Sequence, residues 1–492
     1  MKSTGSKIAA ALLALLIITA AIVSCAEETV PAEDTTTAAA VTNAAPETAP
    51  ETKLQPDLPD TVWDREFRVL GTNKDASPTY PNFEIYAEDI TGDVMNDAVY
   101  TRNETVKKKY GITVAQTLVN KTHDSVTKDA TAGEDNFDLV FININKAGGL
   151  AQKGYLRDLN GIDHIDFEKP WWNQNVNDTV SIHGRIYYTS SDYSLRDKNR
   201  VQVLVCNDEL REELRLDSVP ALVRSNEWTA AKMTEFVTAA ARDLDGDGVH
   251  TEKDCFGIGL SSYDGYAVLS FGFGLRLIGK DENGGVAIVS NPDRDTAVID
   301  AVLEILSRKD VMMTPEDYGR NWDISDDTFV DGRALFTSCS LHYVGYHSQH
   351  CEFDFTVVPA PKLNSDQENF CAMPDIECMF FAVPATNQDP DFAGFALEAF
   401  SYESTDTTYV TFVELYCKTR NVRNADSVEM VNIILDNIIY DGSIFYSDSI
   451  QLFSILNRSI PAVNSNILLR SQNSMRSTVE KEIDKINSAF GD

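Results

Sequence analysis

The residues with the most distinctive chemical spacing are acids. Asp243-Leu-Asp245-Gly-Asp247-Gly248 runs on to Asp254, which puts carboxylates at loop positions 1, 3, 5 and 12. Val249 supplies a backbone carbonyl at position 7, Thr251 a contact at position 9 and Gly248 the turn at position 6. Calcium takes about six to eight oxygens, and alternate aspartates converge on one ion only if the backbone turns sharply at that glycine. Asp254 stands where glutamate is usual, and its shorter arm makes a bidentate contact harder. The expectation is a structural calcium ion and no catalytic cofactor, because no nucleophile or acid/base pair is spaced around the loop. A solvated acidic turn has the same composition and stays open as the alternative.

A second cluster is Cys339, His342, His347, His350 and Cys351. Its spacings fit neither a two-knuckle zinc site nor a helical repeat. The reading is a polar segment facing a cleft, with Tyr343 and Tyr346 as rings that can stack. No G-x-S-x-G elbow or Cys/His signature is present, and no carboxylate pair stands in a catalytic setting. The chain is therefore expected not to be an enzyme.

These groups need a scaffold, and 492 residues exceed one ordinary core, so two lobes are expected. Lys plus Arg total 42 against 76 Asp plus Glu, a net charge of −34. Such a surface repels nucleic acid and anionic membranes. Residues 1–25 read as a signal: Lys2 and Lys7, an apolar run from Ile8 to Val23, then Ser24-Cys25. That ending resembles a lipobox, which would make Cys25 the acylated first residue of an anchored protein. A membrane-spanning helix needs about 20 apolar residues, and this run falls short. Residues 26–60, rich in Thr, Ala, Pro and Glu, cannot bury enough surface to order and read as a tether. The seven other cysteines form no disulfide framework.

Strands at Glu66–Leu70, Ile112–Leu118 and Phe137–Ile144 alternate with a helix from Asp93 to Tyr110 ended by Gly111. That order implies a mostly parallel sheet, whose ligands collect at the carboxyl ends of strands, here Asn143 and Asn145, unless those two amides only satisfy loop backbone. Trp171-Trp172 could stack on a sugar, but a core plug suits them better. Ser181–Asn207 reads as a strand, a polar turn and a fully buried strand that carries the chain between lobes, with Asp192 and Tyr193 in the cleft. Trp228 reads as a staple beside the helix Ala230–Arg242, and Trp322, in a polar loop, is a candidate ligand-binding residue. Phe353–Lys362, ending in Pro359 and Pro361, reads as a stiff return crossing. The boundaries are 61–195 for the first lobe, 196–355 for the second, 356–403 for the return, and 404–492 for a helical part packed mainly on the second lobe.

In this order the pieces resemble a known family. They are Asn96-Asp97-Ala-Val-Tyr100 with Lys-Lys-Tyr110-Gly, Phe137-Asp138-Leu-Val, LAQKGYLRDLN from Leu150, Pro170-Trp171-Trp172-Asn173, Glu227-Trp228-Thr229, the Asp-rich loop, Phe329 to Phe336, and Val358-Pro359-Ala-Pro361-Lys362. Together they look like the extracellular solute-binding lipoproteins of bacterial ABC importers, the class related to maltose- and oligosaccharide-binding proteins. The resemblance implies an α/β, two-lobe type 2 periplasmic-binding fold with hinge strands between lobes. It also implies capture without chemistry, permease subunits as partners, a monomer, and a location on the outer face of the cell membrane. By position it implies Asn143, Asn145, Asp192, Tyr193, His342 and Tyr343 in the cleft. Amides, tyrosines and an acid suit a neutral, hydroxyl-rich ligand, a sugar or oligosaccharide. A peptide-binding or sensor protein of the same fold is the alternative, and a secreted glycosidase a more distant one.

Overall fold

The computed structural model describes residues 54–74, 82–260, 265–315, 324–414, 425–450 and 465–491, with side chains omitted for 465–472. Residues 1–53 with Cys25, and also Trp322 and Cys417, lie outside the described residues.

Two main sheets are formed. The first lobe holds β1 (Arg65–Thr72), β2 (Ile112–Val119) and β3 (Leu139–Asn143); the second opens with β4 (Gln202–Asn207) and β5 (Phe256–Gly259). A hairpin of β6 (Ile278–Lys280) and β7 (Val286–Ile288) follows, then β8 (Met312–Met313), β9 (Ala334–Ser340), β10 (Phe355–Val358) and β11 (Met379–Ala382). Sheet order is β11-β3-β1-β2 in the first lobe and β10-β4-β9-β5-β8 in the second. β1 runs parallel to β2 and β3, and only β11 is reversed. The mixed α/β class follows from this alternation, as expected.

Local sequence explains the elements. The helix Val94–Tyr110 begins where the Asp93 carboxylate accepts from the amides of Met95 and Asn96, at 3.1 and 3.0 Å. It ends with three lysines and Gly111 at φ 68°, a left-handed conformation that glycine adopts without cost. Every residue of β4 is buried, as its apolar run requires. Trp171 and Trp172 are core residues, each indole donating to one oxygen of Glu398 at 3.0 Å.

Three expectations are corrected. Residues 181–191 form isolated bridges, such as Thr189 with Phe381, rather than a strand. The return crossing is not at Pro359–Pro361. Those prolines cannot extend the ladder of β10, but Lys362 pairs with Thr229 and the Trp228 indole donates to the Pro359 carbonyl at 3.0 Å. The segment thus stays on the second lobe, and β10 belongs to its sheet. The crossing occurs at Met373–Asp375, where Val201 pairs with Pro374, Gln202 N donates to Met373 O at 2.8 Å, and Asp375 N to Arg200 O at 2.9 Å.

A third crossing joins them, with Ala372 N donating to Asn437 O at 3.1 Å and Ile439 N to Ala372 O at 2.7 Å. The described residues after 404 therefore serve both lobes. The helix Ala425–Asp436 packs on β10, whereas Gly442–Phe445 and Ser447–Ile450 pack on Ile144–Gln152 of the first lobe.

Candidate functional site at the lobe crossing

The carboxyl ends of β3 and β9 converge on the crossing. β3 ends at Asn143, whose amide donates to Glu377 Oε2 at 3.4 Å. Glu377 sits just before β11, and its carbonyl accepts from Arg196 Nη2 at 2.7 Å. On the other side β9 ends at Ser340, whose hydroxyl accepts from Arg200 Nη1 at 3.2 Å. Arg196 opens, and Arg200 follows, the short helix Arg196–Asn199 that carries the chain between lobes. Arg200 is buried against Asp375, with Nε 3.0 Å from Oδ1, and the Gln202 amide donates to the same carboxylate at 3.1 Å.

His342 follows directly on β9. Burial, then the charges of Arg200 and Arg196, hold its imidazole down to about 4. It is therefore neutral at physiological pH, a hydrogen-bonding group without charge. Beyond it Tyr343 stacks on Tyr346 (centroids 5.0 Å, 27°) and Tyr346 on His350 (4.1 Å, 25°). Glu84 is fully buried beneath the crossing, in the field of Arg196 and Arg102. Desolvation raises its pKa, and Oε2 has no hydrogen-bond partner among the described residues.

Of the residues singled out from the sequence, Asn143, His342 and Tyr343 gather here. Asn145 lies in the first turn of the helix Ile144–Gln152, half-buried. Asp192 and Tyr193 do not face this floor. Asp192 is covered by the end of the helix Pro390–Ser404, where Thr405 donates to its carboxyl at 2.8 Å, and burial raises it to about 6. Tyr193 is completely buried among Phe141, Phe381 and Phe400, with the Arg102 guanidinium 4.7 Å over its ring. Alternation pointed to a turn, but the apolar body of the ring was worth more to the core. Arg196, Arg200, Asp375 and Glu377 were missed. Arg196-Asp-Lys-Asn-Arg200 is a basic cluster in an acidic chain and could have marked the first two.

The thiol–imidazole–carboxylate order Cys339–His347–Asp326 has the outline of a nucleophile relay, with Sγ 3.9 Å from Nδ1 and Nε2 3.1 Å from Oδ1. Burial raises the Cys339 thiol well above its ordinary value, so it is a sealed thiol rather than a thiolate. Among the described residues Cys339, His342, His347, His350 and Cys351 do not converge as metal ligands.

Asp243, Asp245 and Asp247 do converge, each offering one oxygen within 4.8 Å of the others. Gly246 and Gly248 turn the loop at φ 73° and 81°. Asp254 is buried, its oxygens accepting from Leu244 N at 2.8 Å and Thr251 N at 2.7 Å. The three-acid side thus fits a hard cation, while Asp254 braces the loop. Val249 and Thr251 occupy positions 7 and 9 of it.

No model of a known protein family matches the sequence. No curated protein is similar to it. Solved structures are similar in shape: a sugar transporter from Rhizobium etli in an open conformation, at TM-score 0.56 and 14% identity, covers 86% of this chain and 98% of its own. UspC of M. tuberculosis aligns at TM-score 0.53 and 12% identity over 86% of this chain and 100% of its own. The fold is that of a two-lobe solute-binding protein. A cyclo/maltodextrin-binding protein complexed with maltotetraose shares this solute-binding fold at TM-score 0.53 and 13% identity, over 87% and 96% of the two chains. In such a fold the crossing segments are where the lobes can rotate, and the floor described above lies beside them.

Proposed function

We propose that the protein captures a sugar or oligosaccharide without altering it and delivers it to the permease subunits of an ABC importer. The observation that carries this reading is the crossing floor. A charge-compensated set (Arg196 and Arg200 against Asp375 and Glu377) lies beside a neutral imidazole and a stack of two tyrosines. Paired charges leave little net field for an ionic ligand. Amide, carboxylate and imidazole pair with hydroxyls, and the rings can cover an apolar sugar face. The fold shared with sugar-binding relatives supports the same class. The start of the chain supports anchoring by lipid on Cys25 at the outer face of the membrane, with 26–60 as a tether.

A ligand that binds only the folded state raises its melting temperature by mass action. A thermal-shift panel of oligosaccharides and peptides tests the class: stabilisation by one glycan series is expected, and stabilisation by peptides alone contradicts it. We further propose a structural calcium ion on Asp243, Asp245 and Asp247, supported by their convergence and by the left-handed glycines Gly246 and Gly248 of the same loop.

A further inference from the structure

The hairpin β6–β7 leaves the second lobe between the helices Gly265–Gly272 and Pro292–Leu306 and lies against the first. His183 N donates to Gly284 O at 3.0 Å. The Asp441 carboxylate accepts from Leu277 N at 2.9 Å and Ile278 N at 3.2 Å. The Asn487 amide pairs both ways with the Val286 backbone, at 2.8 and 2.9 Å. Beneath the hairpin is a cavity of about 230 Å³ with apolar walls that include Val180, Ile182, Ile278, Val286 and Phe445.

Tyr188 and Tyr446, whose hydroxyls interact, and Lys280 are among the polar residues of this wall. The Lys280 ammonium donates to the Asp178 carbonyl and, at 2.5 Å, to the Ser181 hydroxyl, both neutral oxygens. An ammonium has three donors. One N–H therefore remains, and the exposed Asp178 carboxylate acts on the charge only at longer range. A half-buried cation held by neutral dipoles gains most from an anionic oxygen, since charge-assisted hydrogen bonds are about twice as strong as neutral ones. For size, a dry cavity of about 150 Å³ accepts benzene, so this one has room for a ring with a short side chain.

We infer that this cavity binds a small organic carboxylate with a ring-sized apolar body, its anion on Lys280 and its body against Val180, Ile278 and Phe445. None of these groups belongs to the crossing floor, so the inference stands apart from carbohydrate capture. Its walls come from both lobes, and an occupant would tie the hairpin to the first.

Titration calorimetry on the full chain with benzoate, phenylacetate and 4-methylvalerate tests it, with 2-phenylethanol and 2-phenylethylamine as matched probes. At least one carboxylate should bind, with its affinity lowered at least about tenfold by Lys280→Met, as loss of a charge-assisted hydrogen bond requires. The alcohol should bind more weakly and the amine not at all. Three results overturn the proposal: no carboxylate binding up to about 10 mM, equal binding to Lys280→Met, or an alcohol or amine that binds as tightly as the acid. Should Lys280→Met fail to fold, the acid–alcohol difference on the unaltered chain decides. Val286→Phe, which fills the cavity with Lys280 intact, must abolish binding, and unchanged binding there also overturns it.

Discussion

Val201 and Pro374 form an antiparallel bridge, so the chain leaves the first lobe and returns to it along neighbouring lines. Arg200 and Asp375, one residue to either side, are buried against each other in that joint. Removing one partner leaves an uncompensated buried charge, which costs about 3–5 kcal/mol. Asp375→Ala should therefore lower stability by about that much in urea unfolding. Arg200→Met combined with Asp375→Leu should cost clearly less than the two single changes added together. Additive losses would show that the pair is not coupled.

Tyr343 and Tyr193 were equivalent candidates in the sequence, but Tyr193 is completely buried in the fold and Tyr343 only half-buried. Tyr343→Ala should weaken glycan binding about tenfold with little change in melting temperature, as loss of a stacking ring predicts. Tyr193→Ala should instead destabilise by about 3–5 kcal/mol, as loss of a buried aromatic does, while Tyr193→Phe leaves binding intact. Calorimetry and thermal unfolding of the three variants separate these roles.

That contrast shows what the sequence could reveal. Periodicity located β1 to β4, the capped helix after Asp93, and the carboxyl end at Asn143, because alternation and apolar runs report burial directly. It could not reveal that Pro359–Pro361 folds back onto Thr229, or that 437–439 is a third crossing. Both depend on contacts between residues far apart in the chain. Glu377 carried no local signal at all: its role comes from meeting Asn143 and Arg196 in space.

Stability should depend on pH through two buried carboxyls. Burial raises Asp192 to about 6, with Lys198 opposing, and Glu398 to about 7, with the two indole hydrogen bonds opposing. A raised value means the folded protein holds the proton more tightly than the unfolded chain. This contribution is therefore complete below about pH 4 and lost as pH rises through 6 and 7. At about 1.4 kcal/mol per unit it is on the order of 3 kcal/mol for each group. Urea midpoints from pH 4.5 to 8 should fall more steeply for the unaltered chain than for Glu398→Gln. Parallel curves would remove Glu398 as a cause.

Calcium should raise the melting temperature and chelation lower it again, and Asp243→Asn should abolish the difference. Asp254→Asn should destabilise with or without calcium, because that carboxylate accepts from Leu244 and Thr251 inside the loop. A melting temperature indifferent to calcium would leave an acidic turn.

Closure about the crossing segments should trap a neutral carbohydrate on the floor beside Arg196, His342 and Tyr343. Titration calorimetry of the full chain against a series of oligosaccharides tests it most directly. One series should bind with micromolar or tighter affinity, unchanged between pH 6 and 8 because His342 stays neutral there, and about tenfold weaker in Tyr343→Ala. Absence of heat with every glycan, or tight binding that Tyr343→Ala leaves untouched, would contradict it.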